Sequence, residues 1–334
     1  MSYPLRIQRD DLIYFVTNRC THEMFLLRPC PVVNAIILGC LARAVAKHGI
    51  EMIGFVFMGN HFHLIFRAPG LNMGEFMRDF ESWLAGKIKR HLKTTSTIFS
   101  RRYRSVDILD DATAFDKLIY VLANPCASDL VDKPEQYPGL SSLSYQLEAK
   151  PVCGRWIEQE KLTRNRKRNK DYDEEKAASY HSFELAVLPF MADLSVRERA
   201  AKIARALEGA CGKLRRARGS KRVVGARRLQ AIDPFSRPKE PAFSVCPPSL
   251  SQDKSKIEEH REHRANTTRS YYRARSHDRD PRRASPAKYP PGTTPPGHQR
   301  CVGYPTPSRK TAMVNDRDQP AVGVSNAGAD ARVA

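Results

Sequence analysis

The chain has 334 residues, of which 41% are hydrophobic, and it carries a formal net charge of +20 at pH 7. This charge favours a polyanionic partner, because lysine and arginine side chains neutralise phosphates and release counterions. No run of about 18 apolar residues is present, so we expect no membrane span. The eight cysteines form no CxxC pair, which argues against a zinc ribbon or a disulfide scaffold and favours a reducing, cytoplasmic location.

The first part of the chain alternates strand and helix patterns. Short apolar runs predict strands, and apolar residues at helical spacing predict helices. Only Gly59-Asn60 separates two of the strand patterns, so these two form a predicted hairpin. In chain order we predict a strand over 12–17, a helix over 32–47, strands over 52–58 and 61–67, and a helix over 72–92.

A last strand and a third helix complete this unit. The strand is predicted over 103–109, and Asp110 and Asp111 then supply acids and a capping candidate for a helix. We expect that helix to end near residue 123, because Asn124-Pro125 disfavours its continuation. The order β-α-β-β-α-β followed by a helix is the ferredoxin-like pattern, with an antiparallel sheet and an α+β fold.

Beyond residue 150 the composition becomes more basic. Helical spacing recurs over 182–191 and 196–214, and a short helix is predicted over 221–233. After about residue 234 the apolar periodicity is lost, so we expect a largely disordered region. The predicted domains are 1–150, the α/β unit; 151–240, a basic and partly helical extension; and 241–334, a low-complexity tail.

His61 and His63 follow the predicted hairpin turn. Residues i and i+2 of a strand share a face, so the two imidazoles should lie side by side while Phe62 points into the core. Two neutral imidazoles on one face can bind a divalent cation. The alternative is a chance pair on a solvated strand, which is the commoner explanation of an isolated His-x-His.

Tyr120 and Asn124 lie at i and i+4 of the third helix, one turn apart on one side. A phenol oxygen can attack a phosphodiester when a metal polarises the phosphate, and an amide oxygen can complete the metal shell. The alternative is a tyrosine at the core boundary with its hydroxyl in water. Tyr120 is preferred over the other candidates because it alone combines a helical position with a polar partner at i+4.

Three ordered segments resemble motifs of the REP-associated tyrosine transposases, a branch of the HUH single-strand DNA nucleases. Residues 57–65 are similar to the family's MPNHxHLL hairpin, with Gly59 where the family often has proline. Residues 120–131 resemble YIxxNPVxAGLV, with Cys126-Ala127-Ser128 in place of Val-x-Ala. Residues 137–142 resemble the WPxSS element. The resemblance covers residues 10–145.

This resemblance implies a ferredoxin-like palm that cleaves and rejoins single-stranded hairpin DNA. The implied intermediate is a 5′-phosphotyrosine on Tyr120, with His61 and His63 as metal ligands and Asn124 as the third ligand. The implied cofactor is Mg²⁺ or Mn²⁺. The alternative function is a catalytically inactive DNA-binding remnant of a transposase. An RNA-binding module would need aromatic strand motifs that are missing.

Basic residues near the predicted site are candidates for single-stranded DNA contacts. We expect them to flank the site if the palm forms, although a solvated helix end is the commoner explanation of any one cluster. The sequence leaves open whether the protein is a monomer or a homodimer. The candidates are Lys87, Lys89, Arg90, Lys93, Arg101, Arg102 and Arg104.

Overall fold

The first seven elements follow the predicted order. The computed structural model describes residues 5–237, 247–280 and 285–296. Its β-α-β-β-α-β unit and the following helix confirm the mixed α+β fold with a largely antiparallel sheet. The elements are β1 (Ile13–Arg19), α1 (Pro31–His48), β2 (Glu51–Phe57), β3 (His61–Arg67), α2 (Met73–Leu92), β4 (Arg104–Ile108) and α3 (Asp111–Ala127).

The second half is more structured than its composition predicts. Residues 182–191 do not form the predicted helix: a strand ends at Phe183, and only a short 3-10 turn follows at Pro189–Met191. A long helix occupies part of the region expected to be disordered, and most of the remaining tail lies outside the described residues. The elements are α4 (Leu143–Glu148), β5 (Val152–Ile157), α5 (Gln159–Arg168), β6 (Ala178–Phe183), α6 (Val196–Arg218), α7 (Ala226–Ala231), β7 (Ser249–Leu250) and α8 (Lys254–Asp278).

The main sheet has the order β2-β3-β1-β4-β7. The first four strands are antiparallel to their neighbours, and β1 lies between β3 and β4. This is the strand order of a ferredoxin-like sheet, in which each helix connects two strands across a third. The two-residue strand β7 adds in parallel to the outer edge of β4.

The sheet separates two hydrophobic layers, because successive side chains of a strand point to opposite faces. On the α1–α2 face, Tyr14, Val16 and Phe62 pack against residues of the two helices. On the α3 face, Phe15, Ile65 and Val106 pack against α3 and α6. Every strand residue is therefore assigned to one layer, and this places the site residues described below.

The antiparallel two-stranded sheet of β5 and β6 packs on α1 through two glycines. A Cβ atom at Gly39 would lie 2.2 Å from the Arg155 carbonyl oxygen, and one at Gly154 would lie 2.2 Å from the Leu38 carbonyl oxygen. The two backbones touch at a distance that only glycine permits. By length and mean hydropathy α1 passes as a membrane helix, but its apolar side chains pack in the α1–α2 layer.

Helix α3 starts as predicted and ends later. The Asp110 carboxylate caps it by accepting a hydrogen bond of 2.7 Å from the Thr113 N–H. The helix continues through Pro125 to Ala127 rather than ending near residue 123. Proline gives up one backbone hydrogen bond, and the burial of Cys126 in the layer shared with α6 offsets this loss.

Helix α8 is attached to the sheet by a buried carboxylate. Asp107 of β4 lies 3.1 Å from Nε2 of His260 and 3.1 Å from Nη1 of Arg264. The backbone N–H groups of Asp107 and Leu109 donate to the carbonyl oxygens of Pro248 and Leu250. The described part of the C-terminal region therefore completes the β4 edge.

Candidate active site

His61 and His63 lie at the start of β3, on the α3 face of the sheet. Their ring centroids are 4.9 Å apart and their planes are almost perpendicular. Phe62 between them is fully buried in the α1–α2 layer. The alternation of side chains along the strand thus places the two imidazoles side by side, directly after the hairpin turn.

Both imidazoles are neutral at neutral pH. Burial lowers the pKa of His61 to about 4, with the Arg19 charge as a smaller cause. Burial also holds the pKa of His63 well below its usual range, and His61, Arg19 and Lys117 add to the effect. A neutral imidazole keeps one nitrogen lone pair available for a metal ion.

The hydrogen bonds of the pair indicate which nitrogens are available. His61 Nδ1 lies 2.7 Å from the Asn60 amide oxygen, so we assign the proton to Nδ1 and the lone pair to Nε2. His63 Nδ1 is buried and has no hydrogen-bond partner among the described residues. Asn60 therefore orients one ring, while the other ring holds an unmatched polar atom.

Tyr120 of α3 lies next to His63. Its ring centroid is 5.8 Å from that of His63, and the residue is 43% exposed. Phe15 of β1 stacks on His63 at 5.3 Å and meets the Tyr120 ring edge-on at 6.2 Å. The tyrosine ring is thus held against His63 and is accessible from solvent.

Asn124 lies one helical turn after Tyr120. It is 4% exposed, and its side-chain oxygen is buried with no hydrogen-bond partner in the described part of the chain. No group of three or more His, Cys, Asp and Glu side chains in the described ranges is arranged to hold a metal ion. The buried side-chain oxygen of Asn124 is a candidate third ligand, and this role stays a prediction.

Three basic residues lie near the histidines and Tyr120, one on α3 and two on the α3 face of the sheet. Lys117 Nζ lies 4.7 Å from the Tyr120 ring centroid and 5.4 Å from that of Phe15. Arg19 is the cross-strand partner of His61, and Arg104 is the partner of Thr17, which itself pairs with His63. Directly paired residues lie on one face, so both arginines belong to the α3 face.

The sequence analysis selected Arg104 but missed Lys117, Arg19 and Asn60. Lys117 lies three residues before Tyr120, so helical spacing alone could have identified it. Arg19 becomes a neighbour of His61 only through the register of β1 with β3, which a single sequence does not show. Asn60 was recognised as a turn residue, and its contact with His61 adds a second role.

The basic residues of α2 lie in the other layer. The prediction that Lys87 flanks the site is wrong. Its Nζ donates a 2.9 Å hydrogen bond to the Ile157 carbonyl and lies 4.0 Å from the centroid of the Trp156 ring. The reason is that α2 covers the face opposite α3. Two further candidates, Lys89 and Arg90, lie in the last turn of α2, and Lys93 is its C-cap. Arg101 and Arg102 precede β4. The contacts of these five residues with DNA stay predictions.

Gly59 is explained by its surroundings. A Cβ atom at this position would lie 2.6 Å from Cδ1 of the Phe25 ring. Any larger residue, proline included, would displace that ring. The glycine in the turn before His61 therefore leaves the space that the Phe25 ring occupies.

Comparisons with known proteins give weak similarities. No protein-family model matches the chain, and no curated protein matches it significantly. The chain is similar to a solved structure of a REP-associated tyrosine transposase bound to a REP hairpin, with 15% identity and a TM-score of 0.39, over 44% of this chain and 86% of that one. It is also similar to a "putative transposase" from Deinococcus radiodurans R1, with 16% identity and a TM-score of 0.27, over 35% of this chain and 90% of that one.

Proposed function

We propose that this chain is a metal-dependent tyrosine transposase that cleaves and rejoins single-stranded hairpin DNA. One observation carries the proposal: the exposed Tyr120 ring on α3 lies against His63, which itself adjoins His61 on β3. A tyrosine in this position can act as a nucleophile toward a phosphodiester.

The residues present fit a divalent cation. His61, His63 and Asn124 would hold it, since they offer two neutral imidazoles and an amide oxygen. Unpaired buried polar atoms cost about 1–3 kcal/mol each, and the unpaired atoms of His63 and Asn124 would gain a partner. When bound, the ion polarises the phosphate and stabilises the leaving oxygen. The motif resemblance implies Mg²⁺ or Mn²⁺, and two nitrogen ligands favour Mn²⁺, because Mg²⁺ prefers oxygen.

The chain's own groups perform the covalent step. The Tyr120 oxygen forms a bond to phosphorus as its proton leaves to water, and the bond from phosphorus to the 3′ oxygen breaks. The products are a 5′-phosphotyrosine and, after protonation, a free 3′-hydroxyl. Attack of a 3′-hydroxyl on the phosphotyrosine reverses the reaction and rejoins the strand.

Basic side chains around the phenol position the phosphate. Lys117 carries a positive charge beside the Tyr120 ring, close to where the phosphate must lie during attack. Arg104 and Arg19 lie on the same face, where Arg19 is ion-paired with Glu23 at 2.7 Å. Such a surface attracts a nucleic-acid backbone without reading its sequence.

The test incubates the full chain with a labelled hairpin oligonucleotide and Mn²⁺ and looks for an adduct that survives denaturation. We expect Tyr120→Phe to abolish the adduct and leave DNA binding within about twofold, since only a hydroxyl is removed. Chelation of the metal should also abolish it, and His63→Ala should lower the cleavage rate by about 100-fold or more.

The matched control is Tyr180→Phe, because Tyr180 is an exposed tyrosine on β6, outside the site. This variant should form the adduct at the wild-type rate. An adduct that survives Tyr120→Phe would refute the nucleophile assignment. Wild-type protein that binds the hairpin and never cleaves it would instead support the inactive DNA-binding remnant.

A further inference from the structure

A groove between α3 and α6 lies on the helix that carries Tyr120 and has no role in the chemistry described so far. It encloses about 490 Å³ and is lined by Phe115 of α3 and by Leu194, Ala201 and Ala206. Lys202 and Arg205 also line it. The groove is thus apolar inside and basic along α6.

Two aromatic rings stand at this groove. Phe115 and Phe190 meet edge-on, with ring centroids 5.7 Å apart, and Phe190 is 41% exposed. Lys202 Nζ lies 5.2 Å from the Phe190 centroid and 5.9 Å from that of Phe115. An exposed aromatic ring with an ammonium group beside it is the combination that proteins use to stack bases and bind phosphates of single strands.

The charge of the groove is positive on balance. Its one acidic lining residue, Glu198, is engaged by the N-terminus of α6, where its carboxylate accepts hydrogen bonds of 2.8 Å from the Ser195 N–H and 2.6 Å from the Ser195 hydroxyl. Lys202 and Arg205 are then opposed by no other acid in the lining. The groove therefore complements a polyanion.

The groove and Tyr120 share helix α3. Phe115 precedes Tyr120 by five residues, which corresponds to about 7.5 Å along the helix axis and about 140° around it. A single strand whose phosphate lies at Tyr120 can therefore reach the groove only by passing around the exposed side of α3.

We propose that the α3–α6 groove binds the single-stranded DNA that flanks the cleaved phosphate, with a base stacked on Phe190 and a phosphate at Lys202. This inference rests on the proposed function for the identity of the strand. It adds a second contact surface to the active site, built from a region beyond the segments that resemble the transposase motifs.

The test measures binding in chelator, so that cleavage plays no part. The probe is a fluorescein-labelled oligothymidylate, and the readout is anisotropy with the full chain. We expect Phe190→Ala to weaken binding by about five- to tenfold, the loss of one stacked base. Lys202→Ala should weaken it by a few-fold and lower the salt dependence by about one phosphate contact.

Matched controls are Tyr180→Ala, an exposed aromatic residue on β6, and Arg197→Ala, a basic residue of α6 outside the groove lining. Both should bind as the wild type does. Phe190→Leu keeps the apolar contact with Phe115 and removes the aromatic face, so it should bind as weakly as Phe190→Ala.

Abasic sites at successive positions of the probe identify the stacked base. An abasic site at one position should weaken wild-type binding and have no further effect on Phe190→Ala.

Unchanged affinity of Phe190→Ala and Lys202→Ala would overturn the inference even if Tyr120 cleaves DNA. If these variants instead lose self-association in sedimentation and keep DNA affinity, the groove is a contact between copies and the inference is wrong. If both variants bind DNA more weakly but the wild-type protein never cleaves it, the groove is a DNA-binding surface and the proposed transposase activity is wrong.

Discussion

The two faces of the sheet bury different kinds of side chain. On the α1–α2 face, Phe62, Phe76 and Phe80 are fully buried against one another. The Asn18 amide there donates to Glu81 at 2.8 Å and to the Arg101 carbonyl at 3.1 Å. In the described part of the chain, buried polar atoms without a partner occur on both faces: in His63 and Asn124 on the α3 face, and in the Tyr103 hydroxyl on the α1–α2 face.

This difference assigns separate tasks to the two layers. Close packing of apolar side chains supplies most of the stability of a domain. Unmatched polar atoms lower stability, and those of His63 and Asn124 belong to the proposed site. We therefore expect the packed rings of the α1–α2 face to stabilise the fold, while the α3 face also carries the proposed site.

The strongest way to break this division is to damage the α1–α2 face. Phe80→Ala removes a ring in contact with Phe57, Phe62 and Phe76, and we expect the free energy of unfolding to fall by about 3–5 kcal/mol. Urea titration followed by circular dichroism measures the change. The control is Phe190→Ala, an exposed ring beside α3, for which we expect a loss under about 1 kcal/mol. Equal losses would contradict the assignment of stability to the α1–α2 face.

A smaller effect is expected from Lys117→Ala on the α3 face. The substitution removes the positive charge next to the Tyr120 ring, and we expect the single-turnover rate of adduct formation to fall by about tenfold. The unfolding free energy should change by under about 0.5 kcal/mol, because the side chain is only partly buried. Lys117→Arg should restore most of the rate. A rate unchanged in Lys117→Ala would remove this residue from the site.

The smallest effect concerns the polar pair inside the α1–α2 face. Burial raises the pKa of Glu81 to about 7, while hydrogen bonding from Asn18 and the Arg6 charge act in the opposite direction. The folded protein then binds this proton more tightly than the unfolded chain does, so stability falls as pH rises from about 4.5 to 7.

Between pH 5 and 8 we expect this group to cost about 1 kcal/mol, after allowance for solvent screening. Glu81→Gln removes the titration, so the difference in unfolding free energy between the variant and the wild type should grow in favour of the variant over this range. Urea titrations at several pH values measure it. Parallel pH profiles of the two proteins would show that folding does not raise the pKa of Glu81.

Local patterns predicted the palm well, because its elements depend on nearby residues. The hairpin at Gly59-Asn60 and the helix start at Asp110 follow from turn and capping chemistry. The same patterns failed at α3, where Pro125 predicted an end that the burial of Cys126 overrides. They failed again at 182–191, where pairing with β5 takes Ser182 and Phe183 into β6 and only Pro189–Met191 form a 3-10 turn; this pairing is not visible in the sequence.

The site was predicted where one element supplies the residues and missed where two elements must meet. The faces of His61 and His63 follow from strand alternation, and the spacing of Tyr120 and Asn124 follows from the helix. The position of Arg19 depends on the register between β1 and β3, and the contact of Asp107 with His260 spans about 150 residues of chain. The roles of the site residues stay predictions that the adduct experiment tests.

The addition of β7 and α8 to the β4 edge has a consequence for shortened forms of this protein. A chain ending before residue 247 would leave the backbone N–H groups of Asp107 and Leu109 without their acceptors. It would also leave the Asp107 carboxylate without His260 and Arg264. An unpaired strand edge recruits strands from other molecules. A nonsense or frameshift mutation late in the coding sequence would then show itself first as insolubility, with the β-α-β-β-α-β unit still encoded in full.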